Sequence, residues 1–324
     1  MSLKEISRPI KDELDEFDSY FKGLMKTDVA LLDIVLRYLT KKKGKRIRPN
    51  LVFHTAKALG EINQRTFIGG AMVELLHTAT LVHDDVVDRA ETRRGLLSIN
   101  YKWNNKIAVL VGDYLLSKGL IIASENNETS FLDYTSKAVK RMSEGELQAI
   151  EVIKTKKITE EVYYRIISDK TAALLSTCTK IGAASVTNDQ ETIRKMEEFG
   201  ENIGMAFQLK DDLFDYLSTS SLIGKPVGND IKEKKITLPL IHAFENSTPK
   251  EAKKIRKMIR KGDLSNKQVK YVIDYAKQHK GIEYTEAKAN YFISEAITSL
   301  ESISELNDSK PLRDLADFIV SREN

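Results

Sequence analysis

Apolar residues recur along this chain at intervals of three and four. Ile193, Met196, Gly200, Ile203 and Phe207 trace one stripe, the spacing of a single helix face. Asn188 and Asp189 stand just ahead of it as helix caps, since short polar side chains accept from the free amides of a first turn. The segment from Thr66 to Val87 is apolar nearly all round, interrupted by His77, Thr78 and Thr80. A helix apolar on every side belongs in the middle of a bundle. No proline falls between Pro49 and Pro226, and alternation of the strand type is scarce there. The pattern predicts an all-α chain, a bundle of ten or more helices in one domain over residues 1–324. Two loops interrupt it. Lys41 to Pro49 is basic and broken by Gly44 and Pro49, and Ser218 to Lys235 is rich in serine, glycine and lysine. Further breaks are expected near Gly262 and Gly281.

Composition narrows the classes. The chain has 324 residues, 41% hydrophobic and 30% charged, ordinary for a soluble globular protein with a large core. A net charge of +4 is too near balance to imply nucleic acid. Cys178 is the one cysteine, so neither an intrachain disulfide nor a cysteine-based zinc site is available. No run reaches the roughly 18 uninterrupted apolar residues of a membrane span. Ile107 to Ser124 comes nearest and carries Asp113 and Lys118. The first residues lack the apolar stretch of a secretory signal. The expectation is a soluble cytoplasmic protein without stable membrane insertion.

The most specific chemistry is a duplicated acidic pattern. Asp84-Asp85-Val86-Val87-Asp88 and Asp211-Asp212-Leu213-Phe214-Asp215 share the form Asp-Asp-x-x-Asp. On a helix the outer carboxylates of each copy lie four residues apart on one face and repel each other. A hard cation such as Mg2+ offsets that repulsion, and it accepts phosphate oxygens as further ligands. One such cluster on its own is as readily a solvated helix end. Two copies, each preceded by an apolar helix, point to metal-held diphosphate. Asp84, Asp88 and Asp211 are the first candidates for ligands, with Asp85, Asp212 and Asp215 as direct or water-mediated ligands. Arg93 and Arg94 follow closely, and Lys45 and Arg48 lie upstream. They supply cations for a second diphosphate, since the guanidinium fork donates two bonds to phosphate at once. His77 stands seven residues before Asp84, about two turns down the helix.

These residues, taken with Gly44-Lys45-Arg46-Ile47-Arg48-Pro49, Gly112-Asp113, Lys170-Thr171-Ala172 and Gln208, give the chain a resemblance to the trans-isoprenyl diphosphate synthase family over nearly its whole length. The resemblance implies a single all-α domain and a prenyltransferase working with Mg2+. Lys45, Arg48, His77 and Arg94 would hold the diphosphate of isopentenyl diphosphate. Asp84, Asp88 and Asp211, supported by Asp85, Asp212 and Asp215, would hold magnesium on the allylic diphosphate, farnesyl or geranylgeranyl diphosphate. Arg93, Lys170, Lys225 and Lys235 would complete that grip, and Thr171 and Gln208 would flank the reacting carbons. The family is typically homodimeric. One departure follows the second motif. The family pattern has glycine before its lysine there, whereas this chain has Lys234 before Lys235, so either lysine could be the one that meets diphosphate.

The implied chemistry is ionisation followed by attack. The allylic diphosphate leaves, the cation is captured by the double bond of isopentenyl diphosphate, and the released diphosphate takes the proton. Members that make short products carry a large aromatic residue four or five positions before the first motif. Here Ala79 and Thr80 occupy those positions, which predicts a long product, near heptaprenyl or octaprenyl, of the kind used for quinone side chains. The other readings are a short-chain farnesyl or geranylgeranyl synthase, a class I terpene cyclase and a metal-dependent phosphohydrolase. A cyclase does not need the Lys45/Arg48 site, and a histidine-ligated hydrolase needs more histidine than the five present.

Overall fold

The computed structural model describes residues 2–41, 44, 46–93, 95–155, 158–217, 228–304 and 306–321. Among these the chain is helical apart from one short hairpin. In chain order the helices are α1 (Leu3–Ile6), α2 (Lys11–Leu24), α3 (Ala30–Thr40), α4 (Ile47–Leu59) and α5 (Gln64–Val87). Strands β1 (Thr92–Arg93) and β2 (Leu96–Leu97) then pair antiparallel, with Arg93 opposite Leu96. After them come α6 (Ile99–Lys102), α7 (Asn105–Glu125), α8 (Thr129–Thr155), α9 (Glu160–Ile167), a π-helical turn at Ser168–Ala172, α10 (Ala173–Ala184) and α11 (Gln190–Leu217). The rest are α12 (Asn229–Lys232), α13 (Leu238–Glu245), α14 (Pro249–Lys261), α15 (Asn266–Gln278), α16 (Gly281–Glu301) and α17 (Lys310–Ser321). The hairpin was not expected from the alternation pattern, since two-residue strands leave none to read.

The helices form two compact units. The first comprises residues 1–139, 174–200 and 300–315. Its centre is α5, buried nearly all round from Thr66 to Asp85, as its unbroken apolar surface requires. Small residues set its packing. A Cβ on Gly70 would meet the rings of Phe53 and Phe17 at 3.1 and 3.2 Å, and one on Gly69 would meet Ile181 at 2.2 Å. Phe17, Phe53 and Phe67 close this core with ring centroids 5.2–6.3 Å apart. Asn63 caps α5 through a reciprocal box with Thr66. Pro49 lies in the first turn of α4, where the missing amide has no partner to lose. The basic loop therefore gives way to helix at Ile47, inside the stretch read as loop.

The second unit comprises residues 140–173, 201–299 and 316–324. Leu213, Tyr216, Ile231, Leu240, Phe244, Ile255, Val272 and Ile282 form one of its buried clusters. Tyr163, Ile167, Met205, Leu209, Leu238, Ile241 and Ala289 form another. Gly262, with φ +73°, ends α14, and Gly281 lets α16 start against the Pro239 carbonyl, which a Cβ would meet at 2.0 Å. Both glycines fall at the expected breaks. The stripe from Ile193 to Phe207 lies within α11, whose start Asp189 caps by accepting from the Thr192 amide at 2.8 Å.

Candidate active site

In the first unit the acidic motif occupies the last turn of α5. The Asp88 amide donates to the Asp84 carbonyl at 2.8 Å, so the two carboxylates do stand one turn apart. Arg89 then takes a left-handed conformation, φ 51°. That residue ends the helix, and the Ala90 amide turns back to the Asp85 carbonyl at 2.9 Å. The turn at Arg89 leads into β1, which sets Arg93 back beside the motif, and β2 pairs against it. Arg93 Nε donates to Asp85 Oδ1 at 2.6 Å. Asp85 is buried, at 3% exposure. Burial raises its carboxyl above the ordinary value and the Arg93 bond opposes that rise. Asp84 is half-buried and Asp88 exposed. Asn100, which carried no signal in the sequence, closes the helix end by donating to the Asp85 and Ala90 carbonyls at 3.1 and 3.2 Å.

His77 is buried in α5. His83 lies against α7, its Nε2 3.2 Å from the Val109 carbonyl and 3.5 Å from Asp113. A Cβ on Gly112 would meet that ring at 2.1 Å, so glycine is what admits it. Thr80 donates to the His77 carbonyl, and Ala79 is fully buried. Arg48 is half-buried in the first turn of α4, and neighbouring Arg46 is drawn to Asp18. Lys45 and Arg94 lie outside the described residues.

In the second unit the motif ends α11. Asp212 is buried, and both of its oxygens are taken. Tyr163 Oη donates to Oδ2 and Gln208 Nε2 to Oδ1, each at 2.7 Å. Gln208 in turn accepts from Thr171 Oγ1 at 2.7 Å. The result is a continuous line from Thr171 through Gln208 and Asp212 to Tyr163. Burial, with the nearby charge of Asp230, pushes the Asp212 carboxyl up to about 7. Asp215 accepts the amides of Asn229 and Asp230 at 2.8 and 3.1 Å, and burial and Asp230 raise it to about 6. Asp211 is exposed. The two motifs agree at their second carboxylate, Asp85 and Asp212, each buried and bonded within the protein, and differ at the fifth, where Asp88 is exposed and Asp215 accepts two backbone amides. Asp84, Asp88 and Asp211 face solvent fully or in part. Asp85, Asp212 and Asp215 are held by bonds within the protein.

Lys170 and Thr171 sit on the π-helical turn. Arg141 pins that turn, donating to Asp169 at 2.9 Å, Ser168 at 2.8 Å and Glu201 at 2.8 Å. Gly145 and Gly204 leave room for it, since Cβ atoms there would come within 2.9 Å of Asp169 and 2.4 Å of Ala172. Such π-turns are frequent at functional sites. Lys170 reaches Glu146. Lys235 pairs with Glu233 at 2.7 Å and approaches Asp230 at 3.8 Å. Lys234 adopts φ 65°, the left-handed conformation a glycine would take freely, and its side chain lies over Gly262. A lysine therefore stands in a glycine conformation, and Lys235 is the one beside the acidic cluster. Lys225 lies outside the described residues. Tyr163, Arg141 and Asp230 were missed in the sequence. Of these, Asp230 alone had a signal, its place two residues after Gly228.

The donors suit a hard divalent cation. They are carboxylate oxygens, paired one turn apart, with no soft ligand among them. Among the described residues no three His, Cys, Asp or Glu side chains form a closed metal cluster. A cation at these carboxylates would draw its remaining ligands from water or phosphate.

The sequence profile of the polyprenyl synthetase family matches residues 29–276. The chain belongs to the polyprenyl synthetase family. Like other members of that family it is a trans-prenyltransferase, acting on isoprenyl diphosphates. Octaprenyl diphosphate synthase of Escherichia coli is 31% identical over 323 residues, covering all of both chains. The geranylgeranyl diphosphate synthase of Sulfolobus acidocaldarius is 32% identical over 326 residues, covering 94% of this chain and 98% of its own. A decaprenyl diphosphate synthase from Rhodobacter capsulatus superposes with a TM-score of 0.92 at 30% identity, over all of both chains. A polyprenyl synthase from Caulobacter crescentus, solved with calcium and isoprenyl diphosphate, gives 0.90 at 30%, over 100% of this chain and 98% of that one. The family's all-α isoprenoid synthase fold is therefore the fold of this chain.

Proposed function

We propose that this polyprenyl synthetase extends farnesyl or geranylgeranyl diphosphate with isopentenyl diphosphate, using Mg2+, to an all-trans product of about C35–C40. The observation that carries the product length is an apolar cavity of about 270 Å3 in the first unit, lined by Met72, Leu76, Leu115, Gly119, Leu132 and Val139. Leu76 and Met72 precede Asp84 by eight and twelve residues, roughly 12 and 18 Å down α5 at ~1.5 Å per residue. Between them and the motif stand Ala79 and Thr80, neither of which is a large aromatic residue. Burying each further isoprene unit contributes up to ~4 kcal/mol at ~0.8 kcal/mol per carbon, so a growing tail stays bound between additions.

In this reading Asp84, Asp88 and Asp211 hold the magnesium ions. Asp85, Asp212 and Asp215 set the shape and charge around them. Magnesium held there would supply positive charge against the diphosphate as it leaves. Arg93, Lys170, Lys225 and Lys235 add positive charge to the same group. Lys45, Arg48, His77 and Arg94 hold the diphosphate that stays. Thr171 and Gln208 flank the reacting carbons, and the bonds that lock Gln208 keep its amide in one orientation. The new carbon–carbon bond forms as the double bond of isopentenyl diphosphate attacks the allylic cation. The proton then lost goes to the released diphosphate, so no side chain need be a strong base.

Two copies would pair through α7. Val109, Leu110, Leu120 and Ile121 are each more than 40% exposed on that helix, an apolar face of the kind subunits cover. By length and composition α7 could cross a membrane, with 21 residues and a mean hydropathy of 1.6. Its contact with the His83 ring through Gly112 supports packing on α5 instead.

Incubation with Mg2+, farnesyl diphosphate and isopentenyl diphosphate, followed by chromatography, tests the reading. A ladder ending near C35–C40 is expected. A product stopping at C20 would establish the short-chain alternative. A hydrocarbon released from farnesyl diphosphate alone would establish a cyclase.

A further inference from the structure

Helices α14 and α15 carry a charge the rest of the chain does not. Residues 249–280 hold eleven Lys and Arg against three Asp and Glu. The other 292 residues hold forty basic and forty-four acidic side chains, so this segment alone makes the protein basic. A solvated helix normally balances its charges in pairs. Here, among the described residues, none of the eleven is in an ion pair. Lys254 instead donates to Tyr271 Oη at 2.9 Å, which ties the outer faces of α14 and α15 into one surface.

Within that surface Lys253, Arg256, Lys257 and Arg260 recur at helical spacing on one face of α14 and line a cavity of about 440 Å3. Lys234 stands at its edge, and the floor is apolar: Val152, Ile153, Ile158, Ile236 and Ile259. The apolar stripe of α14 itself, Ala252, Ile255 and Ile259, is buried in the protein. The helix therefore cannot insert as an amphipathic anchor does. What it offers outward is a cationic rim over a greasy hollow. Charge complementarity selects a phosphate group joined to a hydrocarbon chain, presented among many other negative charges.

We propose that this face docks on an anionic phospholipid bilayer, with lipid phosphates on the α14 stripe and one acyl chain in the hollow. The contact is peripheral, made of electrostatic attraction and a single buried chain. Its use rests on the long-chain reading, because a diphosphate on a long hydrocarbon leaves the enzyme most readily into lipid. The binding itself does not rest on that reading, so vesicle binding and product chromatography can fail separately.

The test is co-sedimentation of the full chain with vesicles of phosphatidylcholine alone or with one-third phosphatidylglycerol. Binding is expected only to the anionic vesicles at about 0.15 M salt, and its loss is expected at about 1 M salt. The triple variant Lys253→Gln, Lys257→Gln, Arg260→Gln removes exposed charges and should weaken binding about a hundredfold. A matched variant elsewhere, Lys11→Gln, Lys26→Gln, Lys137→Gln, should bind as the parent does. Ile153→Asp should cost about tenfold by spoiling the hollow. Equal binding to neutral vesicles, no binding at about 0.15 M salt, or an unchanged triple variant would overturn the proposal. So would retention of an RNA where the anionic vesicles are not retained.

Discussion

Tyr163 donates its hydroxyl hydrogen to Asp212 at 2.7 Å, with both side chains buried in the second unit. The bond joins residues forty-nine apart in sequence. It explains how a carboxylate of the second motif is tolerated away from water. Removing the donor alone leaves the acceptor desolvated and short of a partner. Tyr163→Phe should lower stability by about 2 kcal/mol in denaturant unfolding and reduce turnover, because Asp212 also orients Gln208. Retained stability would mean that water replaces the hydroxyl and that the bond is incidental.

Arg93 and Asp85 form the corresponding pair in the first unit. Arg93 is about one-third exposed, with Asp85 beneath it, so solvent screening reduces what the pair contributes. Arg93→Ala should destabilise by about 1–2 kcal/mol, mainly by stranding the buried carboxylate. Asp85→Asn in the same chain should recover part of that loss. A double-mutant cycle measures it, and strictly additive losses would show that the two side chains are not coupled.

The division within each motif separates metal binding from scaffolding. Calorimetric titration with Mg2+ and a diphosphate ligand should show a weakening of at least tenfold for Asp84→Ala, Asp88→Ala and Asp211→Ala, with little change in unfolding free energy. Asp212→Ala should show the reverse weighting, since it empties two internal hydrogen bonds. Equal metal affinity in all four variants would remove the assignment of ligands.

Product length should respond to the cavity beneath Ala79. Gly119 lines it, and a Cβ there meets nothing within 4 Å, so Gly119→Phe can fill the space without strain. Its product should be at least one isoprene unit shorter by chromatography. Ala79→Phe should shorten it further, with a stability loss of roughly 1–3 kcal/mol because Ala79 is fully buried and the site is overpacked. If both variants make the parent product, the tail does not follow α5.

His54 makes the fold acid-sensitive. Its ring is buried in the first unit, its Nε2 has no hydrogen-bond partner among the described residues, and burial lowers its pKa from 6.5 to about 4. The folded state holds it neutral at a pH where the unfolded chain takes up a proton. Stability from this residue is therefore complete above about pH 6.5 and declines as pH falls toward 4, by up to about 3 kcal/mol. His54→Gln should lose less stability than the parent between pH 7 and pH 4.5 in parallel denaturant titrations. Identical acid profiles would show that His54 does not titrate on unfolding.

Much of the protein was legible in its residues. Helices α5 and α11, the Asp189 cap of α11, the breaks at Gly262 and Gly281 and the two acidic motifs follow from spacing. Helix periodicity and turn chemistry act over a few residues and leave a local trace. Asp84 and Asp88 share a face because one turn separates them, whatever surrounds the helix. The hairpin at Thr92–Leu97 and the π-turn at Ser168–Ala172 left no such trace. The first is two residues wide. The second owes its shape to Arg141 on α8, Glu201 on α11 and the space left by Gly145 and Gly204.

What the sequence determined by itself was the class of chemistry, a helical protein with paired carboxylates and cations for diphosphates. Tertiary structure decided which carboxylate does what. Asp84 and Asp85 are adjacent and chemically identical, as are Asp211 and Asp212. Only the return of Arg93 on β1, and the approach of Tyr163 from a distant helix, withdraw one of each pair from solvent. Likewise Lys234 and Lys235 differ only in where the left-handed turn at Lys234 sends each side chain. Burial and hydrogen bonding depend on contacts between residues far apart in the chain, and no spacing rule records those.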